Sequence, residues 1–416
     1  MEISVKNKRL LGINSLGRIG KLTLWNQLAT RNFDGIVVNV GREVGKTTDD
    51  LLQVLETDTT YGQLGKFLHG VAGKPLVSKV VDEANMLFEI DGMPVKVLRS
   101  ERNPSGIPWR DEGVQLVIDC TGQFLDPVVP PDAPKGSLRG HLVGGARKVI
   151  ASAPFKIKDK SARMPEDALM MVFGVNHLNY NPSVHHVISA ASCTTTGLSH
   201  MMKPLLEDAE TSKILTASMS TVHSATNTQS VLDAVPKAAA SDLRKSRSVF
   251  NNIILSTTGA AKALESILPD IQKIGFMADS VRIPTTTVSL ITLNITFNSG
   301  LDESGNPLIN RNYINRIYKN AATGAQKDLL IFSERQNVSA DMMGFRAAAV
   351  IEGCETHTRT GFVNLPASMF EAYGMKNASD INMPVTHAKI FGWYDNEFGS
   401  YVTMLSKLAA FINSKL

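Results

Sequence analysis

The strongest constraint on the fold lies near the start of the chain. Lys8 to Asn14 reads as a short buried strand. Ser15-Leu16-Gly17-Arg18-Ile19-Gly20 follows, and Leu22, Leu24, Trp25 and Leu28 then recur at helical spacing. Gly35 to Val40 is a second apolar strand. Strand, glycine turn, helix and strand make a βαβ unit, the building block of a parallel sheet. Gly17 and Gly20 permit a tight turn and the close approach of a pyrophosphate to a helix N-terminus. Ser15 stands where the first glycine of G-x-G-x-x-G belongs, so this stretch leaves a dinucleotide loop and an ordinary glycine turn both open. The second strand ends in Asn39-Val40-Gly41-Arg42-Glu43, without the acidic residue that grips ribose hydroxyls at that place. Glu43 offers a carboxylate in a shifted position and Arg42 a cation suited to a 2′-phosphate. As solvated loop charges neither has a role.

Further strands follow. Leu87 to Ile90 and Met93 to Leu98 flank Asp91-Gly92 as a hairpin with a tight turn. Val114 to Cys120 ends at Thr121-Gly122, and Val149-Ile150-Ala151-Ser152-Ala153-Pro154 is another strand running into a loop. Such strand ends line the crevice at the carboxyl edge of a parallel sheet. Pro127 to Lys135 holds four prolines and is a loop. Lys156 to Asp167 is a charged insertion, read as solvated surface.

The second half opens on Ala190-Ala191-Ser192-Cys193-Thr194-Thr195-Thr196-Gly197. Val184 to Ile188 before it is strand-like, and Leu198, Met201, Met202, Leu205 and Leu206 after it have helical spacing. Cys193 therefore sits at a helix start, where the macrodipole and unpaired N–H groups are expected to lower its pKa. Alone, such a cysteine fits a buried structural thiol better than a nucleophile. Ile214 to Val222 alternates as a strand and ends on His223, a general-base candidate if the fold brings it to the thiol. Alone, His223 is an ordinary hydrogen-bonded histidine. Lys237, Arg244, Lys245 and Arg247 make a basic loop. Ser256 to Lys262 opens a helix ended by Pro269, with an anion cradle at its start. Arg282, in a strand region running from Val281 to Phe297, is a phosphate candidate.

Composition narrows the class. The chain has 416 residues, 43% hydrophobic and 20% charged, which suits two or three soluble domains. A net charge of +4 is too small to call for nucleic acid or a membrane surface. No apolar run is long enough to cross a bilayer. Three cysteines without metal or disulfide spacing fit a reducing, cytoplasmic setting.

Taken in order, these blocks resemble the phosphorylating glyceraldehyde-3-phosphate dehydrogenase family along nearly the whole chain. The resemblance rests on Gly12 to Asn14, Ser100 to Pro104, Gly174 to His177, Ser192 to Thr195, Thr221 to His223, Ser256 to Lys262 and Trp393 to Gly399. It implies a doubly wound, Rossmann-type cofactor domain over 1–191, rejoined by a C-terminal helix within 392–416. A catalytic α+β domain with a mostly antiparallel or mixed sheet would cover 192–391. By this resemblance Cys193 is the nucleophile and His223 its base. Thr226 and Arg282 match the site of the substrate's own phosphate. Ser192, Thr194, Arg247, Thr258 and Gly259 match the site of the attacking phosphate. Gly17, Arg18, Ile19, Gly20, Arg102, Thr121, Ser152 and Asn396 match contacts to NAD or NADP. The partners implied are a phosphorylated aldehyde, inorganic phosphate and three further copies in a homotetramer, with no metal, nucleic acid or membrane. Ser15, Val40, Thr196 and Ser400 depart from the family pattern. Two other readings remain: the sister erythrose-4-phosphate dehydrogenase, whose thioester goes to water, and a non-catalytic binding protein that retains the fold.

Overall fold

In a computed structural model the chain divides into two compact units, 1–192 with Tyr401–Leu416, and Cys193–Ser400. Residues 9–375, 377 and 379–416 are described. Lys8, the expected start of the first strand, lies outside them. Residues 392–400, expected to travel with the C-terminal helix, belong to the second unit.

The first unit is built on nine strands: β1 Leu10–Asn14, β2 Gly35–Asn39, β3 Ser78–Asp82, β4 Leu87–Ile90, β5 Met93–Leu98, β6 Val114–Asp119, β7 Lys148–Ala151, β8 Ala168–Met170 and β9 Val187–Ser189. Their spatial order is β8-β9-β7-β6-β1-β2-β5-β4-β3. β1 pairs in parallel with β2 on one side and with β6 on the other, Ile13 facing Val38 and Ile118. The strand order reverses at β1, and ligands of doubly wound sheets bind at such a point. Near-continuous apolar strands are what a sheet covered on both faces requires, and Leu11, Ile13, Val38, Leu116, Val117 and Ile118 are accordingly buried. Helix α1 (Arg18–Thr30) buries Leu22, Leu24, Trp25 and Leu28. The Asp91-Gly92 turn has φ of 48° and 80°, the two left-handed residues that a two-residue hairpin takes. The C-terminal helix closes this unit over Thr403–Asn413, preceded by a π-helical turn at Phe398–Val402.

The second unit carries α2 (Cys193–Glu207), α3 (Ala260–Ile267) and α4 (Arg311–Thr323). They pack on a mixed sheet of β10 Ile214–Ser224, β11 Ile254–Ser256, β12 Gly275–Ile283, β13 Ser289–Asn298, β14 Leu330–Ser333, β15 Ala349–Glu352, β16 His357–Leu365 and β17 Ile381–Tyr394. The order is β11-β12-β10-β13-β17-β15-β14, and β16 pairs with β17. β10 runs parallel to β12 and antiparallel to β13. Along β13, Ile291, Leu293, Ile295 and Phe297 point into the helices, where Leu198, Met202, Leu205 and Leu264 meet them. The strand region expected from Val281 to Phe297 is two strands. The break between them contains Val288, buried with φ of 65°. Pro204 lies inside α2 without ending it.

Candidate active site

Cys193 is the first residue of α2. His223 is the penultimate residue of β10, and its register partner on the parallel neighbour β12 is Arg282. The sheet thus sets imidazole and guanidinium side by side, and the helix start brings up the thiol. Cys193 Sγ lies 3.6 Å from His223 Nε2. His223 Nδ1 lies 2.8 Å from the Ser224 carbonyl oxygen and 2.5 Å from Arg282 Nη1. Arg282 Nη1 also donates to that carbonyl at 3.2 Å. No carboxylate pairs with Arg282 among the described residues, and its buried Nε has no hydrogen-bond partner. A half-buried guanidinium with no carboxylate beside it is a costly arrangement that an anionic ligand relieves.

Burial pushes the Cys193 thiol up, opposed by the charge of Arg282 and by hydrogen bonding from Thr194. This corrects the sequence expectation of a lowered pKa: desolvation outweighs the helix terminus. Burial and then the Arg282 charge bring His223 down from 6.5 to about 3. The site therefore rests as neutral thiol and neutral imidazole.

Tyr394 orders these groups. Its hydroxyl meets Thr194 Oγ1 at 2.9 Å and Thr221 Oγ1 at 2.7 Å, joining α2 to β10. Its ring stands edge-on to the imidazole, with centroids 6.0 Å apart. Two residues on, Asn396 Oδ1 accepts from Ser224 Oγ at 2.9 Å and Ser289 Oγ at 3.0 Å. That fixes the amide and leaves its Nδ2 donors without a partner among the described residues. Tyr394, Ser224 and Ser289 received no role from the sequence. The strand ends at Tyr394, and Asn396 lies in the turn that follows it.

The other expected residues fall apart more. Thr226 is engaged locally, its Oγ1 meeting Thr228 Oγ1 at 2.9 Å and Gln229 Oε1 at 3.0 Å. Thr258 Oγ1 accepts from Ala260 N at the start of α3, where Gly259 is the N-cap. Arg247 is exposed and paired with Asp233 at 2.9 Å, so its guanidinium is engaged outside the thiol cluster. Ser400 donates to the Ala348 carbonyl at 2.6 Å and is buried, and Thr196 is buried inside α2.

In the first unit, the carboxyl ends of β1, β2 and β6 enclose a cavity of about 260 Å³ lined by Asn14, Asn39, Val40, Arg42, Arg102 and Thr121. Its floor is a buried network. Asp119 accepts from Asn14 Nδ2 at 2.8 Å and from Thr121 Oγ1 at 2.6 Å, and it meets His141 Nε2 at 3.0 Å. Trp109 Nε1 donates to His141 Nδ1 at 2.9 Å, so the proton on His141 sits on Nε2. The Asn39 Oδ1 atom is buried without a partner. Ser15 adopts φ of 89°, the backbone of the glycine it replaces, and a Cβ on Gly20 would lie 1.9 Å from the Ser15 carbonyl oxygen. Gly17 caps α1 with no side-chain hydrogen bond, leaving the helix N–H groups to a ligand. Arg18 and Ile19 are the first residues of that helix, and Arg18 Nε lies 3.9 Å from Asp58. Arg102 Nε donates to the Gly41 carbonyl at 3.0 Å. Ser152 follows β7, its N–H donating to the Asp119 carbonyl at 2.9 Å. Glu43 is exposed, is paired with Arg99 and does not line the cavity. Cys120 is half-buried, and desolvation pushes its thiol up to about 12.

A helix terminus bare of side-chain caps beside a cavity at a topological switch fits a dinucleotide. A thiol–imidazole pair beside an unpaired arginine fits covalent chemistry on an anionic substrate. The fold and these two sites define an NAD(P)-dependent oxidoreductase. The family model for the glyceraldehyde 3-phosphate dehydrogenase NAD binding domain matches residues 9–127, and that for the C-terminal domain of the same family matches 192–396. The chain belongs to the glyceraldehyde-3-phosphate dehydrogenase family. It is similar to a glyceraldehyde-3-phosphate dehydrogenase of Streptomyces coelicolor, 34% identical over 98% of this chain and 99% of that protein. One from Geobacillus stearothermophilus is 33% identical over 97% and 98%. A cytosolic one from Craterostigma plantagineum is 33% identical over 94% of each chain. Among the described residues no helix is long and apolar enough to cross a membrane.

Proposed function

We propose that the protein oxidises glyceraldehyde 3-phosphate to 1,3-bisphosphoglycerate with inorganic phosphate as co-substrate, through a thioester on Cys193. The Cys193–His223–Arg282 cluster carries this reading. Arg282 pairs with the substrate's phosphate, which draws its charge from His223 Nδ1. With Arg282 withdrawn, the imidazole proton shifts from Nε2 to Nδ1, where it is donated to the Ser224 carbonyl, and the freed Nε2 takes the thiol proton. The thiolate adds to the aldehyde carbon to give a hemithioacetal. His223 returns that proton to the alkoxide formed on addition and then, as general base, takes it back from the hydroxyl as the hydride is lost; a bound oxidised nicotinamide would supply the hydride acceptor. The resulting thioester is attacked by a phosphate oxygen, releasing the acyl phosphate and restoring the thiolate. Thr194, Thr258, Gly259 and Ser192 are the groups assigned to that phosphate, and Arg247 joins them on leaving Asp233. Arg18, Ile19, Thr121 and Ser152 hold the dinucleotide, and Asn396 Nδ2 orients its carboxamide.

NADP is accepted at least as well as NAD. Val40 supplies no carboxylate at the end of β2, Glu43 is taken by Arg99, and Arg42, which lines the cavity, has no ion-pair partner among the described residues. The protein assembles as a homotetramer. The support is apolar side chains exposed on the 225–253 loop, with Leu232 73% exposed, Val235 93% and Ile253 77%. We place it in the cytoplasm.

One assay tests the reading: reduction of NAD or NADP by glyceraldehyde 3-phosphate, with and without phosphate. Phosphate-dependent turnover is expected. Equal turnover without phosphate indicates thioester hydrolysis, as in the erythrose-4-phosphate sister. No reduction by folded protein with either nucleotide and either aldehyde leaves a binding protein.

A further inference from the structure

Two segments have no part in the chemistry above: the proline-rich loop at 127–135 and the charged insertion at 156–167. The fold brings them together. Lys156 N–H donates to the Leu125 carbonyl at 2.8 Å, and Lys158 N–H to Asp126 Oδ2 at 3.0 Å. Arg139 clamps the far ends, donating from Nε to the Pro127 carbonyl at 2.7 Å and pairing through both Nη atoms with Asp167 at 2.8 and 2.6 Å. Between them lies a pocket of about 430 Å³, within the size range of small-molecule sites.

The walls of this pocket have two characters. The floor is apolar, made by the half-buried Phe124, Leu125, Val129 and Ala133, with exposed Pro134 at its edge. Gly136, at φ of 78°, lets the Phe124 ring close on it, since a Cβ there would lie 2.9 Å from the ring. The rim carries Lys135, Lys156 and Lys158, none of which pairs with a carboxylate among the described residues. The one carboxylate in the lining, Asp126, is occupied by the backbone N–H groups of Val128 and Lys158. Three unpaired cations over an apolar, aromatic floor are complementary to a neutral flat ring joined to a chain that bears several negative charges. Gln123 and Phe124 also line the cavity at the ends of β1 and β2, so the two pockets share a wall.

We propose that this pocket is a second nucleotide site, taking a free nucleoside triphosphate with its base against Phe124 and Pro134 and its phosphates on the three lysines. The site is separate from the dinucleotide cavity and is filled alongside it.

Calorimetric titration of ATP into the full-length protein saturated with NADH tests this. One saturable site is expected, and its affinity falls as salt is raised. The charge-reversing triple variant Lys135→Glu/Lys156→Glu/Lys158→Glu, all at exposed positions, weakens it by about tenfold or more while leaving NADH binding unchanged. Light-driven cross-linking by 8-azido-ATP labels peptides containing Phe124 or Pro134. The proposal is overturned if ATP does not bind the NADH-saturated protein, or if the triple variant binds it equally well. It is also overturned if inorganic tripolyphosphate binds as tightly as ATP, which reduces the pocket to a patch of positive charge. Failure of the aldehyde assay leaves these outcomes unaffected, because none of them reads turnover.

Discussion

The thiol cluster and the dinucleotide cavity meet sequence variation in opposite ways. At the cluster the proposed chemistry rests on side-chain atoms, with Cys193 Sγ 3.6 Å from His223 Nε2 and Arg282 Nη1 2.5 Å from His223 Nδ1. At the cavity the central demand is on the backbone, and there the sequence has drifted. Ser15 replaces a glycine yet holds φ of 89°, and Gly20 still keeps clear of the Ser15 carbonyl. A backbone cradle tolerates a changed side chain if its dihedral survives. A proton relay does not tolerate a changed atom.

The sharpest way to break the comparison is Cys193→Ser. Turnover should fall at least about a thousandfold, because the nucleophile is lost. Dinucleotide affinity, measured by fluorescence titration, should stay within about twofold, a difference of under ~0.5 kcal/mol. Near-normal turnover would remove Cys193 from its role. Gly20→Ala asks the reciprocal question. Its Cβ would meet the Ser15 carbonyl oxygen, so the turn must open, at about 3 kcal/mol in stability. Dinucleotide binding should weaken with it, while alkylation of Cys193 by iodoacetamide continues at its usual rate.

Arg282→Ala removes the cation. KM for the phosphorylated aldehyde should rise between about ten- and a hundredfold, the worth of a charge-assisted hydrogen bond. KM for unphosphorylated glyceraldehyde should change much less, and an equal rise for both aldehydes would place the arginine elsewhere in the reaction.

The buried imidazole gives a pH signature. Folding holds His223 neutral, with its pKa brought from 6.5 down to about 3. Between those values the unfolded chain carries a proton on His223 that the folded chain does not, so this group withdraws stability as pH falls from 6.5 towards 3. Melting temperatures of the parent and of His223→Gln should therefore converge over that window. Parallel curves would mean that the imidazole is charged when buried. The smallest effect is expected from Ser15→Gly, which relieves a left-handed serine at the cost of its hydrogen bond to Gly17. The gain should be at most about 1 kcal/mol in chemical denaturation.

Much of this was legible before the structure. The βαβ start, the Asp91-Gly92 hairpin and the helix beginning at Cys193 follow from glycine placement and hydrophobic period, which act over a few residues. Strand ends were less so: Lys148–Ala151 and Val187–Ser189 are shorter or shifted from their apolar runs, because pairing with neighbours sets where a strand stops. Arg247 shows the limit of motif matching. Its position fits the family order, but its guanidinium pairs with Asp233 on the same loop.

The sequence by itself determined the local backbone, the two kinds of sheet and the residue types available for catalysis. The tertiary structure decided their state. Cys193 and Tyr394 lie 201 positions apart in sequence, and only the pairing of β10, β12, β13 and β17 brings Tyr394, His223 and Arg282 to one helix terminus. The helix terminus favours a thiolate, as the sequence suggests, but burial opposes it more strongly, and Arg282 bears on the imidazole as well. Desolvation depends on everything that surrounds a group, and no stretch of sequence around Cys193 contains that information.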